Sequence, residues 1–211
     1  MRIASSFLLA FFATSLAWAS QAASPLQAEA GVSYFVLRHT RFESGATAFR
    51  VDEPHNAAPF VALTRDVSDT WDVKLSYRYL NNVRTTVQFG SPPGSMLPVV
   101  VWGHYDDDVH MLTAAPEFKW RVASQLTFAI APEVNWVASR GVVSYSTNNA
   151  TVLLVGPRRR NDDGFTLGAS ARWLWTTGSR WAMMLGYEYV DLDPSFDREA
   201  HVFSGGVQWR F

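Results

Sequence analysis

Histidines offer the first test of chemistry in this chain. His104 and His110 flank Asp106-Asp107-Asp108, and carboxylate oxygens beside imidazoles are donors that a divalent cation can use. Three consecutive side chains on an extended strand cannot all converge on one ion, because successive residues point to opposite faces. His201 and Ser204 supply a base and a nucleophile, which catalysis needs within hydrogen-bond reach of each other. Three residues apart on a regular strand, they too face opposite ways. His39 and His55 have no better partner in the sequence. We therefore expect no catalytic residue, no cofactor and no metal site, and a chain that is not an enzyme.

A second set of residues carries charge rather than reactivity. Lys74, Arg78, Glu117, Lys119, Glu133, Arg172, Glu188 and Arg210 all stand on the parity opposite to an apolar face. Charges enclosed together must pair, since burying them singly is costly, so these eight are expected to form an ion-pair network. Its functional counterpart is a narrow or gated ion path; its structural one is a plug of salt bridges. Elsewhere Arg158-Arg159-Arg160 precedes Asn161-Asp162-Asp163. Three guanidinium groups together suit phosphate oxygens, while a solvated run offset by its own aspartates is the plainer reading.

The elements that would position these residues are strands. Trp71-Asp-Val73-Lys-Leu75-Ser-Tyr77-Arg-Tyr79 alternates strictly, apolar on odd numbers. Similar blocks run through Leu126 to Trp136, Phe165 to Trp175, Trp181 to Tyr189 and Phe203 to Phe211, with a weaker one from Leu112 to Trp120. Each is about ten residues, the length a tilted strand needs to cross a bilayer. Two further strands, near Gly31 to His39 and Ala57 to Arg65, bring the count to eight. Charged residues make up 18% of the chain and aromatics 14%, with nine tryptophans. No segment after residue 25 has the roughly 18 consecutive apolar residues of a spanning helix. The expected fold is all-β: one eight-stranded antiparallel up-and-down transmembrane barrel over residues 23–211, with ten strands as the alternative. An interior of that size is filled by side chains. The net charge of −1 argues against a nucleic-acid partner.

Three connections are short, at 66–70, 121–124 and 176–179, and four are long, at 40–56, 81–107, 138–161 and 191–199. Short turns mark the periplasmic side of such barrels and long loops the outside. Both termini then lie in the periplasm. Trp71, Trp120, Trp175, Trp181 and Trp209 fall near the short turns and form a periplasmic aromatic girdle. Tyr77, Tyr79, Trp136, Tyr187 and Tyr189 form an outer one. Pro116 and Pro132 fall inside adjacent strands at facing depths, where each removes a ladder donor, and a local bulge is expected there. Val142 to Tyr145, Thr151 to Val155 and Pro98 to Trp102 read as hairpin arms that continue the strands above the membrane. Asn149-Ala150-Thr151 matches a glycosylation sequon, a three-residue pattern that carries little weight by itself.

The chain ends agree. Met1-Arg2, an apolar run from Phe7 to Ala13 and Leu16 to Ala19, and the small residues around Ala17-Trp18-Ala19 and Ser20-Gln21-Ala22 make residues 1–22 a secretory signal peptide cleaved between 19 and 23. There is no cysteine, so neither a lipidated N-terminus nor a disulfide framework is available. At the other end, Ser204, Gly206, Trp209 and Phe211 resemble the C-terminal targeting signal of bacterial outer-membrane β-barrels. Residues 29–211 resemble, in architecture, the small barrels of the OmpA-like, OmpX-like and opacity-type group. The resemblance implies a Gram-negative outer-membrane protein with variable surface loops. Its partners would be outer-membrane lipid, the assembly machinery through the C-terminal strand, lipopolysaccharide at Arg158, Arg159 and Arg160, and a host or extracellular ligand at the loops. Three roles follow: a structural or surface-interaction barrel, which is the reading adopted; a small porin or solute channel; and a lipid A-modifying barrel enzyme.

Overall fold

The computed structural model describes residues 26–39, 46–51, 55–89, 100–147, 156–193 and 198–211. The signal segment, Thr151 to Val155 and Asn149 lie outside the described residues. Nine strand segments follow in order: β1 (Leu26–His39), β2 (Ala46–Val51), β3 (His55–Ser68), β4 (Trp71–Phe89), β5 (Val101–Ala123), β6 (Leu126–Thr147), β7 (Arg158–Thr176), β8 (Trp181–Asp193) and β9 (Arg198–Arg210). All neighbours are antiparallel, and a β4–β5 pairing closes the sheet on itself. β2 and β3 both pair with β4, from Ala46 opposite Phe89 down to Ser68 opposite Trp71, so they lie end to end as one stave. Nine segments therefore make an eight-stranded barrel, and the ten-stranded alternative is excluded.

The last strand zips onto the first, from Gln27 opposite Arg210 to His39 opposite Arg198. The Phe211 amide donates to the Leu26 carbonyl at 3.0 Å, so the described chain ends sit at the same end as the three short turns. At the other end β4, β5 and β6 rise farthest, paired from Phe89 opposite Val101 to Val101 opposite Thr147. The expected hairpin arms at Val142 to Tyr145 and at Val101-Trp102 are part of these extensions.

Alternation decides what each strand shows to either side. On β4 the buried residues are Asp72, Lys74, Ser76, Arg78 and Leu80, then Val83, Thr85 and Val87. The change of parity falls at a register shift between Leu80 and Val83, where Asn82 takes a positive φ of 62°. Asparagine tolerates that conformation better than most residues, and such a bulge re-aims every side chain above it. The Asn82 amide donates to Asp108 Oδ1 at 3.1 Å, which holds the kink.

The bulge expected at Pro116 and Pro132 is absent. Pairing between β5 and β6 lapses from Ala114 opposite Val134 to Phe118 opposite Ile130, and resumes in the same register. The Lys119 amide donates to Thr70, so odd residues of β5 aim their amides at β4 and even ones, Pro116 included, aim at β6. Gln125 accepts from Thr176, so even residues of β6, Pro132 included, aim at β5. The two missing donors thus share a single rung. Their other neighbours, Val73 and Ala169, stay paired. One empty rung costs less distortion than two separate bulges.

The outer wall is apolar. Leu167 is 74% exposed and Leu185 69%, and Val32, Val61, Phe118, Ile130, Val134, Trp173, Met183, Phe203 and Val207 join them. Apolar surface of this extent belongs against lipid rather than water. Trp120, Trp175, Trp181 and Trp209 are exposed at the short-turn rim and Trp71 half-buried there; Trp181 and Trp209 pack in a tilted pair at 4.6 Å, and Trp209 and Phe211 stack at 5.8 Å. At the opposite rim Tyr77 and Tyr79 pack on His110, and Tyr187 and Tyr189 on His201. One glycine of the terminal motif has a packing role: a Cβ on Gly206 would lie 2.5 Å from the Ala30 carbonyl oxygen. Its partner Gly31 is equally confined, by Gly205 and by the Phe60 ring at 2.7 Å.

Candidate functional site

The lumen is the candidate site, and its polar contents form tiers. At the short-turn mouth Lys119 Nζ lies 2.8 Å from Asp66 Oδ1 and 2.5 Å from Asp72 Oδ1. Gln27 Nε2 donates to Asp66 at 3.0 Å. Arg210 reaches Asp66 at 3.7 Å from an exposed position, so it guards the mouth rather than filling the interior.

Above the mouth, Arg172 is only 3% exposed. Its Nη1 donates to Glu29 Oε1 at 2.5 Å and its Nη2 to Glu117 Oε2. Lys74 Nζ lies 3.8 Å from both carboxylates, and Thr64 and Gln208 donate to Glu29 at 2.9 and 2.8 Å. A third tier is bidentate: Arg78 donates to both oxygens of Glu188 at 2.7 and 2.6 Å. Its Nε donates to Ser33 at 3.2 Å and its guanidinium covers the Phe60 ring at 5.7 Å. Ser33 also meets Ser204 at 3.1 Å, which gives the first residue of the terminal motif a place in the lumen. Fork geometry of this kind suits arginine and not lysine.

Over these tiers lies an apolar one, in which Phe35, Leu80, Met111, Val137, Val190 and Val202 pack across the barrel at the level of the outer aromatic rim. The cavity beside Arg78, Arg172 and Glu188 measures about 10 Å³, at the lower limit of what one water occupies.

No protein-family profile and no curated protein sequence matches this chain. Solved structures do match in shape. Neisserial surface protein A superposes with a TM-score of 0.57 over 88% of this chain and 97% of its own, at 10% identity. The outer membrane protein OprG of Pseudomonas aeruginosa gives 0.55 over 90% and 96%, also at 10% identity. Ail, the attachment invasion locus protein of Yersinia pestis, gives 0.52 over 89% and 99% at 13% identity.

The fold is that of the small outer-membrane β-barrels.

Within this outer-membrane barrel fold, seven of the eight charges assigned to the lumen from sequence turn inward: Lys74, Arg78, Glu117, Lys119, Glu133, Arg172 and Glu188. The sequence reading missed Glu29, Asp66 and Asp72. Glu29 stands in the first strand, whose facing the sequence leaves ambiguous, and Asp66 falls in an expected turn but extends β3 opposite Asp72; Asp72 shares the parity of Lys74 and was legible from alternation. The apolar tier was missed as well, although Phe35-Val36-Leu37 and Val202-Phe203 show apolar residues on both parities. That is the pattern of a strand with an apolar lumen tier on one face and the apolar outer wall on the other.

The upper barrel separates residues the sequence had grouped. Arg158 and Arg159 are exposed, but Arg160 turns inward, 3.9 Å from Asp107 and 2.8 Å from Asp162, over the Tyr105 ring. Arg160 is therefore no open phosphate ligand; Arg140, exposed on the neighbouring strand opposite Asn161, is the diagonal neighbour of Arg159 on the outer face. Asp107 is buried while Asp106 and Asp108 face out. His201 bonds the Tyr187 hydroxyl outside at 2.7 Å, and Ser204 lies inside. One pairing was not visible in sequence: His104 Nε2 lies 2.8 Å from Ser146 Oγ, with Nδ1 3.1 Å from the Thr86 hydroxyl. A hydroxyl thus occupies the place at Nδ1 where a catalytic histidine uses a carboxylate to stabilise its positive form.

Proposed function

We propose that this chain is an integral outer-membrane barrel with a sealed lumen and a structural or surface-interaction role, its activity held by the loops at the end opposite the short turns. The observation that carries this reading is the double seal: three tiers of ion pairs below and an apolar tier above. An ion crossing would have to break the Arg78–Glu188 fork and displace Met111 and Leu80. Orientation follows from loop length, with both termini in the periplasm and the assembly machinery engaging β9. The outward Arg140 and Arg159, with Arg158 exposed on the inward parity at the mouth, supply a site for lipopolysaccharide phosphates or another anionic surface ligand. The structure of Ail with the heparin analogue sucrose octasulfate gives a precedent for anion binding on this fold.

Purified protein in planar bilayers tests the seal. The expected record has no steady openings; reproducible unitary currents would overturn the reading in favour of a small channel. Retention on immobilised lipopolysaccharide, weakened by Arg159→Ala with Arg140→Ala, tests the surface site.

A further inference from the structure

The lumen charges do not balance. In the tiers above the mouth four buried acids, Glu29, Glu117, Glu133 and Glu188, face three buried bases, Lys74, Arg78 and Arg172. Glu29 and Glu117 share Arg172 and Lys74, and Glu188 takes Arg78. Asp107, higher up, has Arg160. Among the described residues Glu133 has no base within salt-bridge distance, although it is only 3% exposed. An uncompensated carboxylate buried this deeply costs several kcal/mol, so something neutralises it.

The surroundings of Glu133 point to what does. Glu133 faces Gly168 across the β6–β7 seam, and Asn135 faces Thr166 one step higher. Glu133, Asn135 and Thr166 are buried on the lumen side, and directly opposed strand positions bring side chains to about 5 Å. Each keeps one polar atom without a hydrogen-bond partner: Glu133 Oε2, Asn135 Nδ2 and Thr166 Oγ1. Gly168 lets polar groups close in on one small space: a Cβ there would lie 2.7 Å from the Tyr189 carbonyl oxygen, 2.9 Å from Asn135 Nδ2 and 3.4 Å from Glu133 Oε2. Asn135 Oδ1 meets the Thr113 hydroxyl at 2.6 Å. Turning the amide over keeps that contact, with Nδ2 donating to Oγ1, and aims Oδ1 at the same space. Glu133 Oε2 and Asn135 Oδ1 then border that space together with the Tyr189 carbonyl oxygen, and Thr166 stands directly opposite Asn135 on the facing strand.

We propose that the barrel holds one monovalent metal cation, Na⁺ or K⁺, between Glu133, Asn135 and Thr166. One net negative charge and a single carboxylate match a single positive charge, and oxygen donors are the ligands hard cations take. A divalent ion would leave an excess positive charge in the lumen. The cation completes the interior that the side chains leave one charge short, and makes the barrel's stability depend on which salt surrounds it.

The test is thermal unfolding of the detergent-solubilised barrel, read by its heat-modifiable gel shift, in NaCl, KCl and N-methyl-D-glucamine chloride at equal ionic strength. The expected result is a midpoint several degrees higher in Na⁺ or K⁺ than in the organic cation, saturating with concentration. Glu133→Gln should remove that difference while staying folded, and Thr166→Val should shift its saturation to higher concentration. Crystals soaked in Tl⁺ should show an anomalous peak between the three residues. Identical midpoints in all three salts would overturn the proposal, as would a cation effect that Glu133→Gln leaves intact. Stabilisation by acid alone, lost in Glu133→Gln, would also overturn it and assign the missing charge to a proton.

Discussion

Arg172 is the hinge of the lumen's energetics, and Arg172→Met puts a magnitude on it. The guanidinium makes two charge-assisted hydrogen bonds, to Glu29 and Glu117, at 3% exposure. Each such bond contributes about 1.5–3 kcal/mol. Their sum overlaps the roughly 3–5 kcal/mol lost when one partner of a buried pair is removed. Lys74 remains 3.8 Å from both acids and offsets part of the loss, which places the expected destabilisation near 3 kcal/mol. That corresponds to roughly a hundredfold fall in the folded-to-unfolded ratio. Urea titration of the barrel in lipid vesicles, scored by the same gel shift, measures it. A companion protein carrying Arg172→Met and Glu29→Gln leaves Lys74 paired with Glu117 alone, so no charge of this tier is orphaned, and it should recover most of the loss. A change below about 0.5 kcal/mol for the single substitution, or no recovery in the double one, would refute the view that these charges are enclosed and mutually dependent.

Other outcomes follow from particular contacts. Pro132→Val restores one donor to the empty β5–β6 rung and should raise stability by about 1 kcal/mol, with new slow amide exchange at residue 132; a net loss would mean that the gap is structurally required. Gly206→Val forces a side chain against the Ala30 carbonyl and should abolish folded barrel in refolding yields, whereas Gly178→Ala, in an open turn with nothing within 4 Å, should be neutral. Deleting Phe211 removes its stack on Trp209 and the amide bond to Leu26, and should lower the yield of heat-modifiable barrel in cells; unchanged yield would count against the terminal motif as an assembly signal.

Much of this architecture was legible because strand facing is a local property. Trp71 to Tyr79 alternates without exception, so the inward aim of Lys74 and Arg78 could be read from parity alone. The empty rung was half legible: the depth of Pro116 and Pro132 was readable, but not that both amides point at one seam, since that depends on which neighbour each residue's backbone faces. Arg158-Arg159-Arg160 reads as one patch in sequence, but alternation turns only Arg159 outward, and of the two on the inward parity Arg160 lies deeper, against Asp107, while Arg158 stays exposed. Ser146 was invisible as a partner of His104, because the two are 42 positions apart and meet only through the β5–β6 register.

The sequence by itself determined that the chain forms strands of bilayer length, which residues of each strand share a face, and where the short turns fall. These depend on a period of two and on turn composition, which the chain carries residue by residue. Only the closed structure decided which inward groups meet: that Arg172 of β7 would lie between Glu29 of β1 and Glu117 of β5, that Arg78 of β4 would find Glu188 of β8, and that Glu133 would be left without a base. The reason is geometric. In a closed barrel the strands tilt and are staggered against one another, so depth along one strand converts to depth in the lumen only after every register has been set.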